Sequence, residues 1–350
     1  MSASYKPLLS LRHIYRTDEL KRECACQYIL SAFRLPAFLI FSSICVSFST
    51  SQALIYNYFL NYIDIMEQEV IQKYNEAMRI SDKVMEFSRD VVKKEIKILN
   101  IAESIEKMIK ESGAGIAFPV NISINENAAH YTPDVDDETE LKTGDLVKID
   151  MGLHVDGYIC DRAFTVCMGR NNHPLIEASE KALKEALKVI KPGVKICEVS
   201  EVVEDTINNF GFNPIHNLCG HGLERYNQHA HPSIPNGKNN IKEELKSGVI
   251  AMEVFATNGT GMVKESRPIL IYQYMNDVPV RMSDARKILE RSKKDFNGLP
   301  FTKRWMGDIT PVRMDMALKQ LVDVGGLREF ALLKEETKGL VAQTEETIII

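Results

Sequence analysis

Residues 66–350 predict an α+β fold: two similar halves around one curved antiparallel sheet, with helices outside and a cleft inside. Three observations predict it. The element order runs helix, helix, strands, and then helix, helix, strands again. Apolar residues recur at three and four residue steps in the helical stretches and alternate by two in the strand stretches. Turn residues separate the pieces, at Ser112-Gly113, Asp156-Gly157, Pro192-Gly193 and Gly211.

Taken in order, Val70, Ile71, Tyr74, Ala77, Ile80 and Val84 form the apolar stripe of a long first helix that opens at Met66. A second helix is expected from about Val91 to Lys110. "AFPVNISINENAAHYTP" is extended, and the turn-rich "DDETELKTGD" leads into the hairpin "KIDMGLHVDGYICDRAFTV". Helices in "PLIEASEKALKEALKVI" and "EVSEVVEDTINNFGF" open the second half, and strands with loops fill about residues 214 to 275. Between Ser283 and Phe330, "SDARKILERSKKDF" and "PVRMDMALKQLVDVGG" read as a helical insert before the last strand, "GLVAQTEETIII".

The first 65 residues are unlike the rest. No charged residue occurs from Leu35 to Ile63, a run long enough to span a bilayer. Its serines, with Gln52, Asn57 and Asn61, lower its hydrophobicity below that of a typical spanning helix. Two expectations follow: a membrane anchor through 35–63, or, favoured, an extension outside a mature protein that starts at Met66. The expected division is therefore an atypical extension, 1–65, and a main domain, 66–350, with its insert at about 283–330.

Composition narrows the function classes. An apolar content of 45%, a charged content of 26% and a net charge of −5 describe an ordinary globular chain. The mildly acidic balance gives no footing for broad nucleic-acid binding. Seven cysteines without a Cys-x-x-Cys pair suggest reduced thiols in a cytosol-like compartment.

The hairpin carries the first chemistry. A two-residue Asp156-Gly157 turn sets Asp161 opposite Gly152 and places Asp150 diagonally beside it on the same face. Diagonal neighbours lie about 7–8 Å apart, close enough for leaning carboxylates to share cations about 3.5–4 Å apart. Ile149, Met151 and Val155 take the opposite face. "VIAMEVFA" and "LVAQTEETIII" each hold a glutamate inside an apolar strand, Glu253 and Glu345. A lone buried glutamate costs several kcal/mol unless paired or bound to a cation. With His221 these residues make a set of hard oxygen donors and one imidazole, suited to divalent Mn, Fe, Co or Zn.

From Met66 to Ile350 the sequence resembles the methionine aminopeptidases of type II, the archaeal and eukaryotic class. "FPVNISINENAAHYTP", "KIDMGLHVDGYICDRAFTV", "NLCGHGLERYNQHAHPSIPN", "AMEVFAT" and "VAQTEETI" carry the resemblance in matching order and spacing. It implies the pita-bread fold, and the insert is what type II looks like and type I lacks. It also implies two divalent ions (Co2+, Mn2+, Fe2+ or Zn2+) held by Asp150, Asp161, His221, Glu253 and Glu345, with Asp161 and Glu345 bridging.

By the same resemblance His130 and His229 are the catalytic and substrate-binding histidines, and Phe118 lines the methionine pocket. The implied reaction is hydrolytic removal of an N-terminal methionine before a small second residue, with Glu253 as general base. The implied partners are nascent polypeptide N-termini, with transient ribosome association and no specific nucleic acid, and the protein is a cytoplasmic monomer. His154, on the carboxylate face, is not used by the family pattern and is expected to be structural. His231 is expected in a loop.

The chain departs from the pattern at Val254, His231, Thr344 and Glu346, none of them a ligand position. They bear on the finer shape of the pocket. Alternatives are an Xaa-Pro aminopeptidase or dipeptidase of the same fold, and a non-enzymatic ribosome- or RNA-associated relative, which would have lost ligands.

Overall fold

A computed structural model describes residues 50–350, with side chains from Glu67 onward. All of the expected anchor run, 35–63, therefore lies outside the described side chains, and residues 35–49 lie outside the described residues. No helix among the described residues is long and apolar enough to cross a membrane.

Helix α1 (Thr50–Val91) lays Tyr74, Ala77, Ile80, Val84 and Met85 into the core. Ile71, expected on that stripe, is 44% exposed. The second helix, α2 (Ile98–Glu111), starts seven residues later than the expected Val91. Residues 92–97 form a link instead. Glu95 there takes a left-handed φ of 61°, and the amides of Glu95 and Ile98 donate to the carbonyls of Leu141 and Thr139. Distant backbone thus ends one helix and sets the next.

Strands β1 (Gly115–Ile124), β2 (Asn127–Ala129), β3 (Leu146–Val155) and β4 (Tyr158–Cys167) complete the first half. The second half repeats the order with helices α3 (Pro174–Val189) and α4 (Ile196–Asn209). Its strands are β5 (Asn213–Pro214), β6 (Cys219–Glu224), β7 (Asn227–Pro235) and β8 (Val249–Thr257). The last strand of the chain, β12 (Val341–Ile349), inserts between β4 and β8, giving the antiparallel order β1-β3-β4-β12-β8-β6-β7, with β5 on β8. One strand therefore joins the two halves. Helices α1 and α2 pack on β1, β3 and β4 through one apolar core, and α3 and α4 pack on β8 and β12 through another.

A second, four-stranded sheet pairs β9 (Val263–Tyr274) with β10 (Phe301–Thr302) and β11 (Leu327–Glu335), and β11 with β2. Helices α5 (Ser283–Lys294) and α6 (Pro311–Asp323) pack over it around Ile288, Phe301, Met314 and Leu321. The helical stretch thus ends earlier than Phe330. Residues 327–330 belong to β11, whose registry with β9 and β2 joins segments far apart in sequence.

Candidate active site

The β3–β4 hairpin has the register its turn chemistry predicts. Asp156 (φ 52°) and Gly157 (φ 86°) form the turn, both left-handed as such hairpin turns require. Gly152 pairs with Asp161 and Asp150 pairs with Ala163. Gly152 keeps a slot open, since a Cβ there would overlap the Phe118 ring. Strand β12 sets Glu345 against Ala163 on one side and Glu253 on the other, and β6 pairs His221 with Ala251 of β8. Five strands thus bring residues 150, 161, 221, 253 and 345 to one patch of the concave face. Phe118, His130 and His229 line the same cavity, so all eight predicted positions converge.

Within it, Asp161, His221 and Glu345 present ligand atoms within 4.8 Å of one another, and so do Asp150, Glu253 and Glu345. Glu345 is the residue common to both groups. Asp161, expected to be shared as well, falls in the first group only. His221 Nε2 lies 3.9 Å from both Asp161 Oδ2 and Glu345 Oε1. Burial pushes His221 down to about 4, so the ring is neutral at pH 7 and these contacts are not ion pairs. Its Nδ1 donates to the Gly222 carbonyl at 3.4 Å, which leaves the Nε2 lone pair turned toward the carboxylates.

The carboxylates are under electrostatic load. Burial, and then mutual repulsion, holds Asp161, Glu253 and Glu345 well above the usual carboxylate range, and burial pushes Asp150 up to about 6. Asp150 Oδ1, Asp161 Oδ1 and Glu345 Oε1 are buried without a hydrogen-bond partner among the described residues. Unsatisfied anionic oxygens converging beside a neutral imidazole are a donor set that a hard divalent cation fits.

Two residues that escaped sequence reasoning support this set. Gln343 Nε2 donates to Glu253 Oε1 at 2.8 Å and Asp150 Oδ2 at 3.3 Å. Asn121 Nδ2 donates to Asp150 Oδ2 at 3.5 Å. Strand alternation could have found Gln343, which stands two residues before Glu345 and so shares its face.

The histidines are held differently. His130, at a left-handed φ of 65°, donates from Nδ1 to the Ala331 carbonyl at 3.1 Å and meets Phe330 edge to face. That bond fixes its tautomer and leaves Nε2 for a substrate. The His229 ring stands edge to face on His221 at 4.7 Å between centroids. Desolvation and the charges of His221, His130 and Arg328 push His229 below the usual histidine range. Its exposed side opens to the cavity.

His154 stays out of the cavity. Its Nδ1 accepts from Gly157 N at 3.1 Å and its ring meets Tyr226, so it braces the hairpin turn. His231 is exposed on β7 rather than in a loop, with Nε2 2.7 Å from Glu243. The remaining departures face the helices. Val254 is buried in the α3–α4 core, Thr344 Oγ1 bonds Ser179 of α3, and Glu346 pairs with Arg162.

Comparison with known proteins adds to this geometry. The family model for metallopeptidase family M24 matches residues 72–273. Over 288 residues the chain is 46% identical to a methionine aminopeptidase of Thermococcus onnurineus, covering 81% of this chain and 96% of that one. Among solved structures, a thermophilic Arx1 superposes with a TM-score of 0.71 at 21% identity, over 81% of this chain and 88% of its own. The methionine aminopeptidase of Thermotoga maritima gives a TM-score of 0.59 at 20% identity, over 81% and 94%. At such identities the two structures speak for the fold alone, and it is the pita-bread fold.

Proposed function

The chain belongs to metallopeptidase family M24, and on that premise we propose that its acidic cleft removes N-terminal methionine from polypeptides by metal-assisted hydrolysis, before a small second residue. The observation that carries the proposal is the convergence of five ligand-type side chains with unpartnered buried oxygens. Asp161, His221 and Glu345 would hold one divalent cation and Asp150, Glu253 and Glu345 a second. Co2+, Mn2+, Fe2+ and Zn2+ all suit this donor set. Such cations supply a Lewis acid and a water acidic enough to attack at neutral pH.

The chain's own residues do the rest. Glu253, pushed upward by burial and by Asp150, is a basic carboxylate placed to take the proton of the attacking water. His229 hydrogen-bonds the peptide carbonyl oxygen as negative charge grows on it, and His130 Nε2 steadies the scissile nitrogen. Phe118 offers an apolar wall to an unbranched, polarizable thioether. All eight residues come from one chain, so a monomer suffices. The substrates would be nascent N-termini in the cytoplasm, met during transient association with the ribosome.

A peptide panel tests the reading. Metal-loaded protein should release methionine from Met-Ala-Ser and Met-Gly-Ser far faster than it cleaves peptides with proline in second position. Preference for the proline series would move the assignment to an Xaa-Pro peptidase of the same fold.

A further inference from the structure

Of the three amide side chains lining the cavity, Asn121, Asn217 and Gln228, two are already engaged. Asn121 donates to Asp150. Asn217 exchanges two hydrogen bonds with the Val263 backbone, at 2.7 and 3.0 Å. Gln228, on β7 beside His229, is only 7% exposed, and its buried Oε1 has no hydrogen-bond partner among the described residues.

An unpaired buried amide oxygen is costly, and polar groups in mostly apolar pockets are what fix orientation and specificity. Beside the acidic cluster and its histidines, the same cavity has apolar walls that include Phe118, Leu218, Ile271 and Pro300. Neither aspartate nor histidine engages the Gln228 side chain, so it takes no part in the reaction proposed above. With no bond to hold it, the amide can turn either edge toward an occupant.

We infer that Gln228 makes the pocket for the first side chain receptive to an unbranched group that donates a hydrogen bond, with glutamine as the matching residue. This rests on the aminopeptidase reading of the same site. Glutamine and methionine side chains reach equally far from Cα. The substrate amide N–H donates to Gln228 Oε1 while Gln228 Nε2 donates to the substrate amide oxygen, so both groups of both amides are used. Norleucine fills the same length but leaves Oε1 unpaired. Asparagine is one carbon short, and leucine branches too early.

The test measures kcat/KM of the metal-loaded full chain on Gln-Ala-Ser, norleucine-Ala-Ser and Met-Ala-Ser, for the wild type, Gln228→Met and Gln228→Leu. The wild type should release glutamine, and the glutamine-to-norleucine ratio should fall at least tenfold in both variants. The ratio is taken within each preparation, so partial loss of folded protein does not move it. A ratio unchanged in the variants, or a wild type that releases methionine and no glutamine, overturns the inference and leaves the aminopeptidase reading standing. No release from Met-Ala-Ser by the wild type overturns that reading and the inference with it.

Discussion

Glu253 and Glu345 sit directly opposite each other across β8 and β12, in the middle of the eight-stranded sheet. Like charges so placed destabilise a strand pair. Burial makes the juxtaposition worse and raises both carboxyls well above their usual range. Asp161 and Asp150 add to the same field. A sheet holds such a cluster at neutral pH when cations stand between the charges, and this is why the arrangement reads as a metal centre rather than a packing accident.

Gln343 is expected to tune that centre without touching a substrate. It bonds Asp150 and Glu253 together, one from each half of the fold. Groups that orient ligands in this way are worth about 10–100-fold in metal affinity or activity. Gln343→Leu should lower metal affinity by that order, measured by calorimetric titration of chelator-treated protein. Unchanged affinity would show that the carboxylates orient themselves.

A buried ion pair ties the insert to the body. Arg304 and Glu106 of α2 have side chains only 3% and 6% exposed. Glu106 accepts from both terminal guanidinium nitrogens of Arg304, from Trp305 Nε1 at 2.9 Å and from Val120 N at 3.2 Å. Removing one partner strands a buried charge, at a cost of about 3–5 kcal/mol. Glu106→Ala should lose that much in urea denaturation, whereas the double variant Glu106→Leu with Arg304→Met should recover most of it. Equal losses in both would point to the neutral bonds instead.

Glu335 gives a pH prediction. Burial pushes its carboxyl up, but bonds from Gly339, Thr337 and Thr260 outweigh burial and bring it down to about 2 from an ordinary 4.5. A depressed carboxyl contributes stability above its unfolded pKa and loses it as pH falls toward the folded one. Glu335→Gln should therefore be less stable than wild type at pH 7 by about 3 kcal/mol. The difference should shrink between about pH 4.5 and 2, followed by thermal unfolding at each pH. A pH-independent difference would assign the loss to packing.

The sequence made the site more legible than the scaffold. The Asp156-Gly157 turn dictates a register, and the register alone puts Asp150 and Asp161 on one face. Glu253 and Glu345 stood out because a charge inside an apolar strand needs a partner. Gln343 did not stand out, because an uncharged amide raises no such question. The start of α2 escaped because what interrupts the helix is pairing with Thr139 and Leu141, some 40 residues away. Phe330 read as insert because β11 becomes a strand only through its distant partners β9 and β2. Local periodicity carries local structure, and these features are non-local.

Asp161 belongs to the group holding His221 and Glu345, and the most direct test removes its charge. Chelator-treated wild type and Asp161→Asn are titrated with Mn2+, Co2+, Fe2+ or Zn2+, following bound metal and methionine release from Met-Ala-Ser together. The wild type should regain release in proportion to bound metal, and Asp161→Asn should bind less and release almost none. Full release by chelator-treated wild type, or by Asp161→Asn without bound metal, would contradict the metal-centred account.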